Sequence, residues 1–229
     1  MIISIMQPTY LPWIGYFDLM DEADVFVFLD TVQFERQSWQ QRNRIKTSTG
    51  WTWLSVPIIR KFPQLIDSVL INNSQKWKHW KTIEQNYRRT KYWKASPLAE
   101  IYSRKWEYLV DLNLEIISWL TGEFGIHTET YRLSTTTTFP ASASKVDLLI
   151  AICRFFHADT YLSPAGSAAY IEEDNRFEEE GITLKYQNYQ HPVYNQPYGD
   201  FISHMAAIDL LFNEGPKSLR IIQSGRMGM

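Results

Sequence analysis

The sequence predicts an α/β fold, a mainly parallel sheet flanked by helices, with a helical middle segment acting as an insertion or lid. Three observations predict it. Strand-like and helix-like runs alternate at both ends of the chain. A strand, a loop, a helix and a second strand fit inside the first 30 residues. The 229 residues are 45% hydrophobic and 15% aromatic, enough for one large core. Alternation of this kind marks parallel sheets, because parallel neighbours need a crossover between them. Residues 1–224 are expected as one domain, with 73–133 as the helical insertion or subdomain and 225–229 as a tail.

IISIM (2–6) and DVFVFLD (24–30) are short runs rich in β-branched and aromatic residues, and they read as strands. LPWIGYFDLMDEA between them spaces its apolar residues as a helix does, which completes one βαβ unit. TWLSVPI (52–58) and SVLI (68–71) are two further expected strands, and 36–46 is expected as a basic loop.

The middle reads as helical. Over 75–94, Trp77, Trp80, Ile83 and Tyr87 share one face, and Lys76, Lys78, Lys81, Arg88 and Arg89 lie off it. SRKWEYLVDLNLEIISWLTGEFG gives a long helix closed by Gly122 or Gly125. Residues 134–144 form the most linker-like stretch, and Ser144 followed by Asp147 spells a capping box that restarts a helix at VDLLIAICRFF. DTYLS is then a strand, SAAYIEEDNRFEEEG a helix ended by Gly181, ITLKYQNY a strand, and SHMAAIDLLFNEG a helix ended by Gly215.

Charge is segregated. The net charge is −2 overall, but residues 1–35 carry −6, residues 36–94 carry +11 and the remainder −7. A near-neutral protein with one basic third is expected to meet an anion on that third rather than to coat nucleic acid with its whole surface. The single cysteine, Cys153, cannot form an internal disulfide, and its apolar neighbours mark it as a buried structural thiol. MIISIM is too short for a signal sequence and no run approaches a membrane span, so a cytoplasmic chain is expected.

Several groups could carry chemistry at the strand ends, where open α/β sheets bind ligands. Gln7 and Tyr10 lie in a loop stiffened by two prolines and followed by a helix N-terminus; a ligand loop and a packed turn are equally good accounts of it. Asp30 ends the second strand and suits a base, a hydroxyl partner or a metal ligand. Gln33, Trp39, Arg42, Asn43, Arg44 and Lys46 mix flat rings with guanidinium forks that match phosphate or carboxylate, against the rival of a solvated basic loop. His191 lies in a polar, proline-stiffened run with Tyr194 and Gln196 and is the best general-base candidate, with a structural histidine in a polar turn as an equally good account of it. Ser163 and Gly166 sit in a strand-to-helix turn able to hold an anion, although it matches no Walker A or dinucleotide glycine pattern. His79, His127, His157 and His204 are scattered without metal spacing, so no metal site is expected, and no motif assigns a cofactor.

These segments together resemble the WbqC-like protein family. The matching pieces are QPTYLPWIGYF (7–17), AD (23–24), D-x-VQF (30–34), W-x-x-RNRIK (39–46), SPAGSAAY (163–170), F-x-x-x-GI (177–182), Y-x-HPVYNQ (189–196) and DLLFNEG (209–215). Gln41 departs from the pattern, which has Asn before RN. The resemblance implies a bacterial protein associated with cell-surface polysaccharide such as O-antigen, in a family proposed to include transferases that attach an amino acid such as glycine to an amino sugar. The early β-loop-helix also looks like a nucleotidyltransferase-type α/β fold, though the HxGH signature is absent.

The expected function is therefore transfer of an acyl or aminoacyl group to an amino sugar or other small amine. Arg42, Arg44 and Lys46 would hold a small anionic or sugar-linked substrate, Gln7, Tyr10, Gln33 and Asn43 would orient it, and His191 or Asp30 would take the amine's proton. A nucleotide-dependent nucleotidyl or adenylate-forming enzyme is one alternative. A noncatalytic module binding sugar or nucleic acid through the basic helix is another, with nucleic acid the less expected partner.

Overall fold

The structure is a computed structural model that describes residues 1–59, 61, 63–74, 76–137, 145–167 and 175–227. The expected βαβ unit is present. β1 (Ile2–Met6) and β2 (Val25–Phe28) pair in parallel, Ile3 opposite Val25 and Met6 opposite Phe28, and α1 (Ile14–Glu22) connects them. Three later strands complete a five-stranded sheet. β5 (Glu129–Arg132) adds beside β2, β6 (Thr160–Ser163) beside β1, and β7 (Thr183–Tyr186) beside β6. The order is β5-β2-β1-β6-β7 and every pairing is parallel.

Alternate side chains on a strand point to opposite faces, and this divides the core in two. Ile3, Ile5, Val25 and Val27 pack toward α6 (Lys145–Phe155) with Leu149, Ile152 and Cys153. Phe26 and Phe28 face the other way, into a larger cluster with Tyr16 and Phe17 of α1. That cluster also takes in α2 (Lys76–Tyr87), α3 (Ser96–Ser103), α4 (Leu109–Phe124) and α8 (Ile208–Glu214), so the helical middle and the first βαβ unit share one apolar core. α4 ends as expected at Gly125, whose φ of 74° is left-handed. The short α5 (Leu133–Thr136), α7 (Arg176–Glu179) and α9 (Ser218–Gln223) fill the connections.

Several segments differ from expectation. Residues 42–46, expected as loop, form β3 (Arg42–Thr47), which pairs antiparallel with β4 (Gly50–Ser55) in a hairpin separate from the main sheet. The reason is the alternation R-N-R-I-K, in which Asn43 and Ile45 turn inward and are buried beside Leu54. Residues 68–71 make only isolated bridges, Leu70 to Tyr108 and Ile71 to Ile58, after a 3-10 turn at Ile66–Ser68. The helix expected over 75–94 ends at Tyr87. Its inward residues Trp80, Ile83 and Tyr87 are buried, while Lys78, Lys81, Arg88 and Arg89 are exposed. The capping serine Ser144, most of the linker at 134–144 and the start of the helix expected after Ser167 lie outside the described residues.

Acids of the first 35 residues find partners outside the basic block. Asp18 and Asp21 pair with Arg226, and Asp30 pairs with Arg132. Arg226 belongs to the expected tail, yet Gly225 to Met227 are bonded to the chain at 188–190. Among the described residues no helix is long and apolar enough to cross a membrane.

Candidate functional site

From β1 the chain moves to β2 on one side, and β6 occupies the other. The strand order therefore diverges between β1 and β6, and a crevice opens beyond their carboxyl ends. A cleft of about 480 Å³ lies there, within the roughly 300–1,000 Å³ usual for small-molecule sites. Gln7, Thr9 and Trp13 line it from the loop after β1, Glu35 and Ser38 to Gln40 from the loop before β3, and Pro164 to Ser167 from the turn after β6. Gln187 and Tyr189, just past β7, close the side.

Hydrogen bonds fix the loop after β1. Asn43 Nδ2 donates to the Leu11 carbonyl at 2.6 Å, Asn113 Nδ2 to the carbonyls of Pro8 (3.3 Å) and Gln40 (2.8 Å), and the Ala207 amide to the Pro12 carbonyl at 2.8 Å. Leu11 is held at φ 47°, a left-handed conformation that a branched side chain adopts only when its surroundings enforce it. Gly15 leaves room for the Trp13 indole: a Cβ there would meet the ring at 2.2 Å. The indole thus lies over the first turn of α1.

Gln7 is on the cleft wall, its Oε1 accepting from Gln40 Nε2 at 2.6 Å. Tyr10 is fully buried away from the cleft, its hydroxyl bonded to Tyr102 and, at 3.0 Å, to His79 Nδ1. Burial lowers the His79 pKa to about 4, so this group is neutral near pH 7. Gln33 is exposed, bridging Leu65, and lies off the cleft.

Asp30 is buried and fully engaged. Its carboxylate accepts from Arg132 Nε (2.6 Å), the Ser134 amide (2.9 Å) and the Ser134 hydroxyl (2.6 Å), while Arg132 Nη1 reaches Asp111 at 2.7 Å. This arrangement fastens the end of β2 to the end of β5.

His191 stands behind Trp13, with ring centroids 5.9 Å apart and stacked, and its own ring 5.0 Å from that of His204. Nδ1 donates to the Pro192 carbonyl at 2.9 Å, which leaves Nε2 as the lone-pair atom, buried and without a partner. Burial is the main cause that lowers its pKa to about 4. Ser163 and Ser167 bond to each other beneath the turn, and Gly166 lies on the cleft surface.

Lys46, Tyr194 and Gln196 come together elsewhere, in a buried network. Lys46 Nζ donates to Gln196 Oε1 at 3.1 Å and to the Asp200 carbonyl. Asp209 accepts from Tyr87 (2.8 Å), Tyr194 (2.9 Å) and Gln196 (2.7 Å). Desolvation raises the Asp209 pKa to about 6 against the opposing pull of these bonds.

Arg42 and Arg44 share the outer face of the hairpin with Trp51 and Trp53. Register places Arg44 opposite Trp53, with Trp51 diagonal to Arg44 and Arg42 diagonal to Trp53. The Arg42 guanidinium lies 4.3 Å from the Trp53 centroid, and that of Arg44 lies 5.2, 5.8 and 5.9 Å from Trp51, Trp53 and Trp39. A second hollow of about 370 Å³ opens here, and Ser38 and Trp39 line both it and the cleft.

Sequence reasoning did not select Glu35, Gln40, Trp53, Arg132 or Asp209. The alternation W-T-W against R-N-R carried a readable signal for Trp53. No local signal marks Asp209, an acid inside an apolar helix. Among the described residues no group of three or more His, Cys, Asp or Glu is placed to hold a metal ion.

The sequence model of the WbqC-like protein family matches residues 7–221. The chain is also 33% identical over 223 residues to Uncharacterized protein Rv1507c of Mycobacterium tuberculosis, covering 94% of this chain and 95% of that one. No solved structure matches it significantly.

Proposed function

Since the chain belongs to the WbqC-like protein family, we propose that it transfers an acyl or aminoacyl group, such as glycyl, to the amine of an amino sugar or another small amine in surface polysaccharide (O-antigen) assembly. One observation carries this reading: the cleft at the β1/β6 divergence is sized for a small molecule, and its mainly apolar walls carry a few polar side chains, Gln7, Glu35, Ser38 and Gln40 among them, on bonded loops. Loops fixed in this way hold two reactants in attack geometry without first having to be ordered.

In the reaction a C–N bond forms between the amine and the activated carbonyl, the bond to the leaving group breaks, and the amine loses a proton. Glu35 is the carboxylate on the cleft wall among the described residues, and its backbone amide is fixed by Gln40 Oε1 at 3.0 Å. It takes the proton in this reading. His191 offers an unpartnered Nε2 one ring behind Trp13, which itself lines the cleft. Asp30 accepts hydrogen bonds from Arg132 and Ser134 and anchors the end of β5 in this reading. The test is turnover of an activated acyl or aminoacyl donor with amino-sugar acceptors. Folded Glu35→Gln and His191→Asn variants that both keep full turnover with the true substrate pair would remove these roles.

A second reading, a nucleotidyl or adenylate-forming enzyme, is favoured by the same position in a parallel sheet. Thermal titration with ATP and Mg²⁺ separates the two, because a ligand that binds only the native state raises its melting temperature.

A further inference from the structure

We propose that the outer face of the β3–β4 hairpin is a nucleoside diphosphate subsite, in which Arg42 and Arg44 hold the phosphates and Trp39 and Trp53 stack the base. It deepens the function proposed above by naming the carrier to which the substrate is linked.

The arginines are cations in search of an anion. Among the described residues neither pairs with a carboxylate, Arg42 has no side-chain hydrogen bond, and Arg44 makes one long contact from Nη2 to the His204 carbonyl at 3.4 Å. Arg44 Nε is buried and has no partner. A structural arginine would spend these donors within the fold; here indole rings lie 4.3 to 5.9 Å from the two guanidinium groups, and among the described residues the pair spends only the one long contact to His204. Stacking of this kind fixes a guanidinium in one plane, which suits two-point contact with phosphate oxygens.

The aromatic half has the same character. Trp39, Trp51 and Trp53 are 49, 43 and 37% exposed, while the core nearby is well filled. Exposed indoles beside unpaired arginines are a platform for a flat ring joined to an anion, and every base has a face to stack. A bare sugar phosphate would use the arginines and leave the indoles idle. A polynucleotide would need a longer positive track than two arginines supply. Because Ser38 and Trp39 belong to both hollows, a base and diphosphate on the hairpin would direct the attached group into the cleft.

The test is calorimetric titration of the full chain with ADP, UDP, adenosine, pyrophosphate and a short single-stranded oligonucleotide, read together with tryptophan fluorescence. The expected result is saturable binding of a nucleoside diphosphate with quenching, and at least tenfold weaker binding of adenosine and of pyrophosphate. Arg42→Gln, Arg44→Gln and Trp53→Leu should each weaken it at least tenfold, with Arg42→Lys as a milder variant should Arg42→Gln fail to fold. Lys217→Gln, which removes an exposed cation that lines neither hollow, should change it less than threefold. No binding of any nucleotide at millimolar concentration overturns the proposal, as does unchanged affinity in the folded Arg42→Gln/Arg44→Gln double variant. Tight oligonucleotide binding without mononucleotide binding also overturns it. Turnover is not read, so a chain that binds nucleotide but transfers no acyl group keeps this subsite and loses the function proposed above.

Discussion

Gln40 Nε2 donates to Gln7 Oε1 at 2.6 Å while Gln40 Oε1 accepts from the Glu35 amide at 3.0 Å, so one buried amide joins two loops of the cleft. Gln40→Ala leaves both partners without this side chain. We expect a loss of about 1–3 kcal/mol in urea unfolding, together with weaker ligand binding in the cleft. An unchanged urea midpoint would show that water replaces the amide.

Asp30→Ala should act on stability first. It strips a buried carboxylate from Arg132 and from both donors of Ser134. Removing one member of a buried ion pair costs about 3–5 kcal/mol, and Arg132, still partly exposed and held by Asp111, brings the expectation toward the lower end. Full stability with lost turnover would return Asp30 to the role of base.

His191 predicts a pH dependence. Its folded pKa, about 4, lies below its ordinary value, so the unfolded chain binds the proton more readily. The stability it contributes is complete above about pH 6.5 and is lost as pH falls toward 4. The melting temperature of His191→Asn should decline less steeply than wild type over that window. His204 beside it and the more distant His79 shift in the same direction, so the slope is reduced rather than abolished. Asp209 opposes them: its raised pKa adds stability below its ordinary pKa that is lost as pH climbs through about 6.

Gly15→Ala places a methyl group against the Trp13 ring. The indole must leave its position over α1, and overpacking of this kind costs about 1–3 kcal/mol. Near-ultraviolet circular dichroism should report the displaced ring. A native spectrum and melting temperature would mean that the ring yields freely.

Cys153 is fully buried and burial pushes its thiol up to about 12. An aromatic disulfide reagent at pH 8 should leave it unmodified in the native protein and label it fully in denaturant. Rapid native labelling would show that α6 opens.

The first βαβ unit was legible because Ile2–Met6 and Val25–Phe28 carry β-rich runs bounded by polar residues, with a helical spacing between them. The cleft was legible at Gln7, Trp39 and Gly166 because strand ends define where it must be. β3 was hidden because the charges of RNRIK outweighed its alternation by composition, although Asn43 and Ile45 were the residues that decided its face. Lys46 and Gln196 looked like ligand groups because each is polar in a motif; that they satisfy each other 150 positions apart depends on tertiary folding alone. Tyr10 was ambiguous for the same reason, since its partners His79 and Tyr102 are remote in sequence.

The hairpin alternation also separates two kinds of demand on one ribbon. Positions 43, 45 and 54 answer to the interior, whereas 42, 44, 51 and 53 lie on the outer face. Relatives can therefore diverge in what they recognise by exchanging outward residues, with no repacking required of the inward row. A single-residue deletion within β3 would do the reverse, turning an arginine toward the interior and Ile45 out to water. This ribbon is a site of easy substitution and difficult insertion, and a laboratory search for altered ligand preference should begin by randomising those four outward positions.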